Sequence, residues 1–169
     1  MKYVPVAILI LLLAFLAYML IVPKPEKLSS MEGKTMPALT LPLLGSTTGK
    51  AQLLPIQGHY TLVNIFASWC PSCAQEHPAL MALASHKTIQ MIGIAWHDTP
   101  EALTSWLNTH GNPYHHIGMD ASGEAIIALG VTGAPESFFI SPEGIILHHQ
   151  IGLLTQETID HHILPHLKP

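Results

Sequence analysis

Thr61-Leu62-Val63-Asn64-Ile65-Phe66-Ala67 runs straight into Ser68-Trp69-Cys70-Pro71-Ser72-Cys73. The first run is apolar and β-branched, the pattern of a strand covered on both faces. Pro71 suits the first turn of a helix, where its missing N–H has no partner to lose. A buried strand that becomes a helix through a short turn carrying two sulfurs admits few architectures.

The rest of the chain supplies further layers. The helix is expected to continue to about Ser85, bent by Pro78, and Ile89 to Ala95 reads as a second buried strand. Thr99-Pro100-Glu101 opens a helix that ends near His110-Gly111, and Ser122 to Leu129 reads as a short helix closed by Gly130. Ser137 to Ser141 and Ile145 to Ile151 flank Pro142-Glu143-Gly144, a turn signature that makes them an antiparallel hairpin. Thr155 to Leu167 reads as a last helix. Strands alternating with helices and ending in a hairpin predict an α/β fold, a central mixed sheet flanked by helices.

Val4 to Val22 is almost unbrokenly apolar, with no charge inside. At about 1.5 Å per helical residue it approaches the ~30 Å hydrocarbon core of a bilayer. No small-x-small cleavage site follows a short apolar core, so an uncleaved anchor is expected rather than a signal peptide. Lys2 precedes the run and Lys24 and Lys27 follow it, so the lysines alone do not fix orientation. A single anchor ahead of a folded domain usually leaves that domain outside the cytoplasm. The expected organisation is an anchor over 1–22, a proline-punctuated linker over 23–35 and one domain over 36–169.

The 169 residues carry a formal charge of −4 and only seven basic side chains, all lysine. That balance leaves no electrostatic footprint for nucleic acid. Arginine is absent, so no step can rest on its bidentate fork. Of the twelve histidines, six occur as the pairs His115-His116, His148-His149 and His161-His162. His162 and His166 stand four apart in the expected last helix and could face a metal together. The plainer reading, which we prefer, is that the histidines are surface residues of a lysine-poor chain.

The two cysteines close too small a loop to add much stability, so their spacing points to chemistry. At a helix start, Cys70 would sit beside unpaired N–H groups and the positive end of the helix dipole, both of which favour thiolate. Cys73 lies one turn on and faces the same way, placed to attack a mixed disulfide on Cys70. Haem attachment needs a histidine directly after the second cysteine, and Ala74 stands there. A zinc site could add His77 but lacks a second ligand pair. A peroxidase of peroxiredoxin type would carry a hydroxyl residue at position 67, which is alanine, and an arginine. Dithiol–disulfide exchange, needing no cofactor, is the strongest reading.

With Trp69-Cys70-Pro71-Ser72-Cys73 after a buried strand, the chain resembles the thioredoxin superfamily. Gly130-Val131-Thr132-Gly133-Ala134-Pro135-Glu136-Ser137 resembles the cis-proline loop of thiol:disulfide interchange proteins of the DsbE or CcmG type, which act in cytochrome c biogenesis. Glu76-His77, Gly111-Asn112-Pro113-Tyr114, Ser141-Pro142-Glu143-Gly144-Ile145-Ile146, and Met36-Pro37 with Leu41-Pro42-Leu43 fit the same family, as does an N-terminal anchor. The resemblance covers roughly Lys34 to Leu167.

It implies a reductase held at the bacterial inner membrane with its catalytic domain in the periplasm. Such a protein reduces the haem-binding CxxCH of apocytochrome c, or a mixed disulfide with a CcmH-type maturation partner. A membrane donor of DsbD or CcdA type then re-reduces it. A broader reductase of TlpA or ResA type is the alternative. A non-catalytic module that uses Cys70, Cys73 and histidines for copper, zinc or haem is the rival from another class. Residue by residue, the resemblance makes Cys70 the nucleophile and Cys73 the resolving thiol. Pro135 is the cis-proline facing them, with the Ala134 backbone beside it free to pair with an extended substrate. Trp69 is expected beside the disulfide, where it can contact substrate. Asn64 stands where thioredoxins carry a buried aspartate that accepts the second thiol's proton. Asparagine is usual in the narrower family, so another acid is needed for Cys73. Glu76 and Glu136 are the candidates, with plain surface carboxylates the equal alternative.

Overall fold

The computed structural model of the chain describes residues 3–21, 31–46, 49–53 and 57–167, which fall into two units, Met1–Ser30 and Met31–Pro169. In the first, α1 spans Val4–Ile21, and its large side chains from Val6 to Tyr18 are exposed. Its 18 residues reach about 27 Å at about 1.5 Å each, a little under a ~30 Å hydrocarbon core. Among the described residues no helix is long and apolar enough to cross a membrane. Positions 22–30, the last residue of the expected anchor and most of the expected linker, lie outside the described residues. Residues 31–35, also expected in the linker, instead belong to the second unit. The Gly33 N–H donates to the Ile146 carbonyl (2.8 Å), the Ile146 N–H donates to Lys34 (2.9 Å), and Thr35 bridges Ile145.

The second unit begins with a hairpin of β1 (Leu39–Pro42) and β2 (Lys50–Leu53). A five-stranded sheet follows, built from β3 (Tyr60–Phe66), β4 (Ile89–Trp96), β5 (His116–Asp120), β6 (Glu136–Ile140) and β7 (Ile146–Ile151). Its order is β5-β4-β3-β6-β7, with β3, β4 and β5 parallel and β6 and β7 antiparallel to their neighbours. The central strand β3 is buried on both faces, which is why it reads as a continuous apolar run. On one face Leu62 and Phe66 pack with Leu80 and Leu83 of α2 (Pro71–Leu83) and Leu103 and Leu107 of α3 (Pro100–His110). On the other, Val63 and Ile65 pack with Leu39, Leu41 and Leu53 of the hairpin and Ile126 and Leu129 of α4 (Glu124–Leu129). Alternation along the strand sorts these side chains into two cores.

The sequence reading did not anticipate β5 or the β1–β2 hairpin. Gly118 interrupts β5, and its hydrogen side chain is what lets the hairpin lie against it. A Cβ there would run into Leu53 and Leu41. The last helix is broken into α5 (Gln156–Thr158), a π-helical turn (Ile159–Ile163) and α6 (Leu164–Leu167). His162 stacks on His148 with ring centroids 4.1 Å apart, whereas His166 packs near Tyr60 and Phe139. The two rings therefore do not converge, and among the described residues no histidine, cysteine or carboxylate group forms a metal cluster. The surface reading of the histidines fails at His77 and His149, which are buried.

Candidate active site

The C-terminal end of β3 delivers the chain to Cys70, which caps α2 in an extended conformation and accepts a hydrogen bond from the Cys73 N–H at 3.1 Å. A sulfur thus takes the place of the hydroxyl or carboxylate that ordinarily caps a helix. Cys70 and Cys73 form a disulfide with Cα atoms 5.3 Å apart. On reduction, the same N–H and the helix terminus favour negative charge on Cys70 over Cys73.

Two loops close around the pair. The Ala134–Pro135 peptide bond is cis, and the Ala134 carbonyl oxygen stands 3.7 Å from Cys70 Sγ. On the other side Asp98 accepts from Ser68 N–H (2.6 Å), Ser68 Oγ (2.9 Å) and Thr99 N–H (2.8 Å). The Trp69 indole N–H donates to the His97 carbonyl at 3.1 Å, and its ring lies 5.9 Å from that of Trp96. Trp69 remains 55% exposed, a rim aromatic beside the disulfide. Asp98, which the sequence reading did not single out, pins the turn leading into Cys70. Its only signal was a place in the Asp98-Thr99-Pro100 helix start.

Beneath the sulfurs lies a buried polar network. Glu76, one turn past Cys73 on the inner face of α2, is 3% exposed. Its Oε1 accepts from Asn64 Nδ2 (2.8 Å) and its Oε2 from the Leu154 N–H (2.7 Å). Asn64 Nδ2 also donates to Ser137 Oγ (3.0 Å), and Asn64 Oδ1 accepts from the Tyr114 hydroxyl (2.6 Å). Burial pushes the Glu76 carboxyl up to about 7, against the pull of the Leu154 and Asn64 donors. Burial, aided by the charge of Glu76, raises the Tyr114 phenol well above its ordinary value, so it stays a donor.

The other candidate acid lies elsewhere. Ser137 pairs with Asn64 and Glu136 with Ile65 across β3 and β6. Because successive strand residues face opposite sides, Ser137 joins the network under the cysteines and Glu136 points away from it. Glu136 Oε1 accepts from the Thr132 N–H (2.8 Å) and Thr132 Oγ1 (2.7 Å), and Oε2 pairs with His149 Nε2 at 2.9 Å. Burial pushes this carboxyl up, but the His149 and Thr132 donors outweigh it and hold the acid below its ordinary value. The expectation that Glu136 serves Cys73 is therefore corrected. It braces the Thr132–Ala134 loop from behind. His77 is also structural, its Nε2 lying 3.2 Å from the Gly111 carbonyl and its ring edge-on to Trp106 at 4.6 Å. Burial lowers its basicity. A cleft of about 520 Å³ bounded by Ile92, His116 and Pro142 is remote from this site, since Pro142 follows the end of β6 that pairs with the start of β3.

A five-stranded mixed sheet that aims a sulfur pair at a helix start, with a cis-proline loop against it, defines a thiol–disulfide oxidoreductase of thioredoxin fold. A family model described as Redoxin matches residues 31–163. The thiol:disulfide interchange protein DsbE of Allochromatium vinosum is 37% identical over 163 residues, covering 96% of this chain and 90% of its own length. DsbE of Xylella fastidiosa strain Temecula1 is 37% identical over 137 residues, covering 81% and 70%. Among solved structures, a thioredoxin-family thiol:disulfide interchange protein of Chlorobium tepidum superposes with a TM-score of 0.63 at 21% identity, covering 79% of this chain and 96% of its own. The chain belongs to the redoxin family, among the thiol:disulfide interchange proteins of DsbE type.

Proposed function

We propose that the protein is a membrane-anchored periplasmic reductase of cytochrome c maturation, with Cys70 as nucleophile, Cys73 as resolving thiol and Glu76 as the acceptor of the Cys73 proton. The observation that carries the chemistry is the placement of Glu76 one helical turn beyond Cys73, buried, with its proton affinity raised to about 7. An acid poised near the working pH can both take and return a proton.

The Cys70 thiolate attacks one sulfur of a substrate disulfide, and the other substrate sulfur leaves as thiolate. Glu76 takes the proton of the Cys73 thiol, and the new Cys73 thiolate attacks Cys70. The remaining substrate sulfur leaves, two electrons have passed to the substrate, and Cys70–Cys73 is oxidised. Trp69 on the rim and the Ala134-Pro135 loop beside Cys70 are where an extended substrate segment docks. Similarity to DsbE proteins supports apocytochrome c or a CcmH-type partner as substrate, and a DsbD- or CcdA-type membrane protein as the source of electrons. The charge-free, exposed α1, which falls within the apolar sequence run from Val4 to Val22, supports a single-pass anchor in the bacterial inner membrane.

The test is rescue of c-type cytochrome assembly in a bacterium lacking its own DsbE-type protein. The full chain is expected to restore covalent haem attachment, and Cys70→Ser to abolish it. General disulfide reductase activity without rescue would point to a broader TlpA- or ResA-type role. Recovery of the chain in the soluble fraction would remove the anchor.

A further inference from the structure

Tyr114 takes no part in the exchange steps above, yet its hydroxyl is buried at the centre of the network beneath them. Its position is set by packing. The ring stacks on Phe66 at 4.6 Å and lies over Gly93, where a Cβ would stand 3.1 Å from Tyr114 Cγ and 2.8 Å from Phe66 Cε1. Asn112 Oδ1 accepts the Tyr114 N–H at 2.9 Å and fixes the turn that delivers it. The hydroxyl is thereby aimed at Asn64 Oδ1, 2.6 Å away, its one hydrogen-bond partner among the described residues.

An asparagine side chain has a donor end and an acceptor end, and which end meets Glu76 decides which form of the acid is favoured. As found, Asn64 Oδ1 is occupied by Tyr114, and both Nδ2 hydrogens are used, on Glu76 and on Ser137. A carboxylate can accept from Nδ2. Turned over, Asn64 would present its carbonyl to Glu76, a contact that only the protonated acid can satisfy. The reversed amide would also strand the Tyr114 O–H, whose hydrogen would have no acceptor, in a place closed to water.

We propose that Tyr114 is a positioning residue for the resolving step: by donating to Asn64 it holds the amide with Nδ2 towards Glu76, and so sets the pH at which Glu76 can take the Cys73 proton. This rests on Glu76 being that acceptor. The groups around Glu76 are Cys73, three residues earlier and also buried on its own helix, Asn64 on β3, Tyr114 before β5 and Ser137 on β6 through Asn64, and the Leu154 N–H after β7. None of these carries a positive charge, so the orientation of one neutral amide has leverage over the acid.

The experiment is a ¹³C-carboxyl NMR titration of Glu76 in the oxidised full-length chain in detergent. The wild-type midpoint is expected near 7. Tyr114→Phe keeps the ring and removes the hydroxyl, and is expected to raise the midpoint by about one pH unit, the scale of one neutral hydrogen bond. Asn64→Leu is expected to raise it too, and Tyr114→Phe should add nothing in that background. An unchanged midpoint in Tyr114→Phe overturns the proposal. So does a full additional shift in the Asn64→Leu background, which would mean that Tyr114 acts on Glu76 directly. If Tyr114→Phe does not fold, an unmoved midpoint in Asn64→Leu alone overturns it. The same variants are then followed by the pH profile of Cys73 expelling a chromophoric thiol from Cys70, whose inflection should move with the carboxyl midpoint. A carboxyl shift with a stationary inflection removes Glu76 as the acceptor, and with it the part of Tyr114 in the resolving step. A stationary carboxyl removes Tyr114 alone.

Discussion

Glu76 and Glu136 are 3% and 1% exposed and lie on opposite faces of one sheet, and their proton affinities move in opposite directions. Burial raises both. Glu76 is met by two neutral N–H groups, from Asn64 and Leu154, which do not offset its desolvation, and it rises to about 7. Glu136 is met by two donors of Thr132 and by His149, which more than offset it. Inaccessibility therefore does not by itself make a carboxylate a proton acceptor. The partner set decides, and here the acid left with the weaker set is the one on the side of the resolving cysteine. The acid with the stronger set holds the loop that faces the disulfide.

The comparison breaks most severely if His149 is removed. His149→Phe keeps a ring against Phe138, on which His149 now stacks at 4.2 Å, but leaves Glu136 without its imidazole. The expected loss is about 3 kcal/mol at pH 7, the upper end for a buried carboxylate deprived of one donor, read from urea unfolding of the oxidised protein. A depressed carboxyl contributes stability that is present above the unfolded pKa and is lost as pH falls through the folded one. The loss in His149→Phe should therefore shrink in acid.

Glu76 has the opposite sign. Its folded form binds a proton more tightly than the unfolded chain does, so stability declines as pH rises from about 4.5 to about 7. Glu76→Leu removes that dependence, and its stability relative to wild type should improve across this window by up to about 3 kcal/mol. Stranding the Asn64 and Leu154 donors adds a pH-independent cost, so the slope is the readout. A parallel pH dependence in the two proteins would contradict the raised proton affinity.

Catalysis should separate the two acids next. At pH 7 Glu76→Leu should slow expulsion of a thiol from Cys70 by about 100-fold, the scale of a lost general base. Glu136→Gln should leave that rate within about threefold, since it acts from the far face. The smallest effect belongs to the rim. Trp69→Ala should change stability by under about 1 kcal/mol, yet lower kcat/KM for a peptide disulfide while sparing a small aromatic disulfide.

Much of the site was legible because it is local. The run from Thr61 to Ala67 and the proline after Cys70 are enough to place a buried strand, a turn and a capped helix. The loop at Ala134-Pro135 was legible through family resemblance, and the structure brings it against Cys70. What escaped the sequence depends on register and on distant partners. Glu76 and Glu136 look alike as acids beside motifs, and only the pairing of Ser137 with Asn64 assigns them to different faces. In His148-His149, strand alternation turns the second ring inward to Glu136, while the first stacks on His162. The short strand β5 was missed because Gly118 breaks its apolar pattern, and the reason for that glycine lies in Leu41 and Leu53 of a hairpin far back in the chain. Tyr114 was visible as part of a motif, but its bond to Asn64 joins residues 50 positions apart.

The most direct test of the central claim is the pH dependence of Cys73 attacking a mixed disulfide on Cys70, compared in the wild type and Glu76→Leu. The account predicts a wild-type inflection near pH 7 that disappears in the variant, leaving a rate that climbs only as the thiol itself ionises. The same inflection at the same pH in Glu76→Leu would mean that another group takes the proton, and the role assigned to Glu76 would be lost.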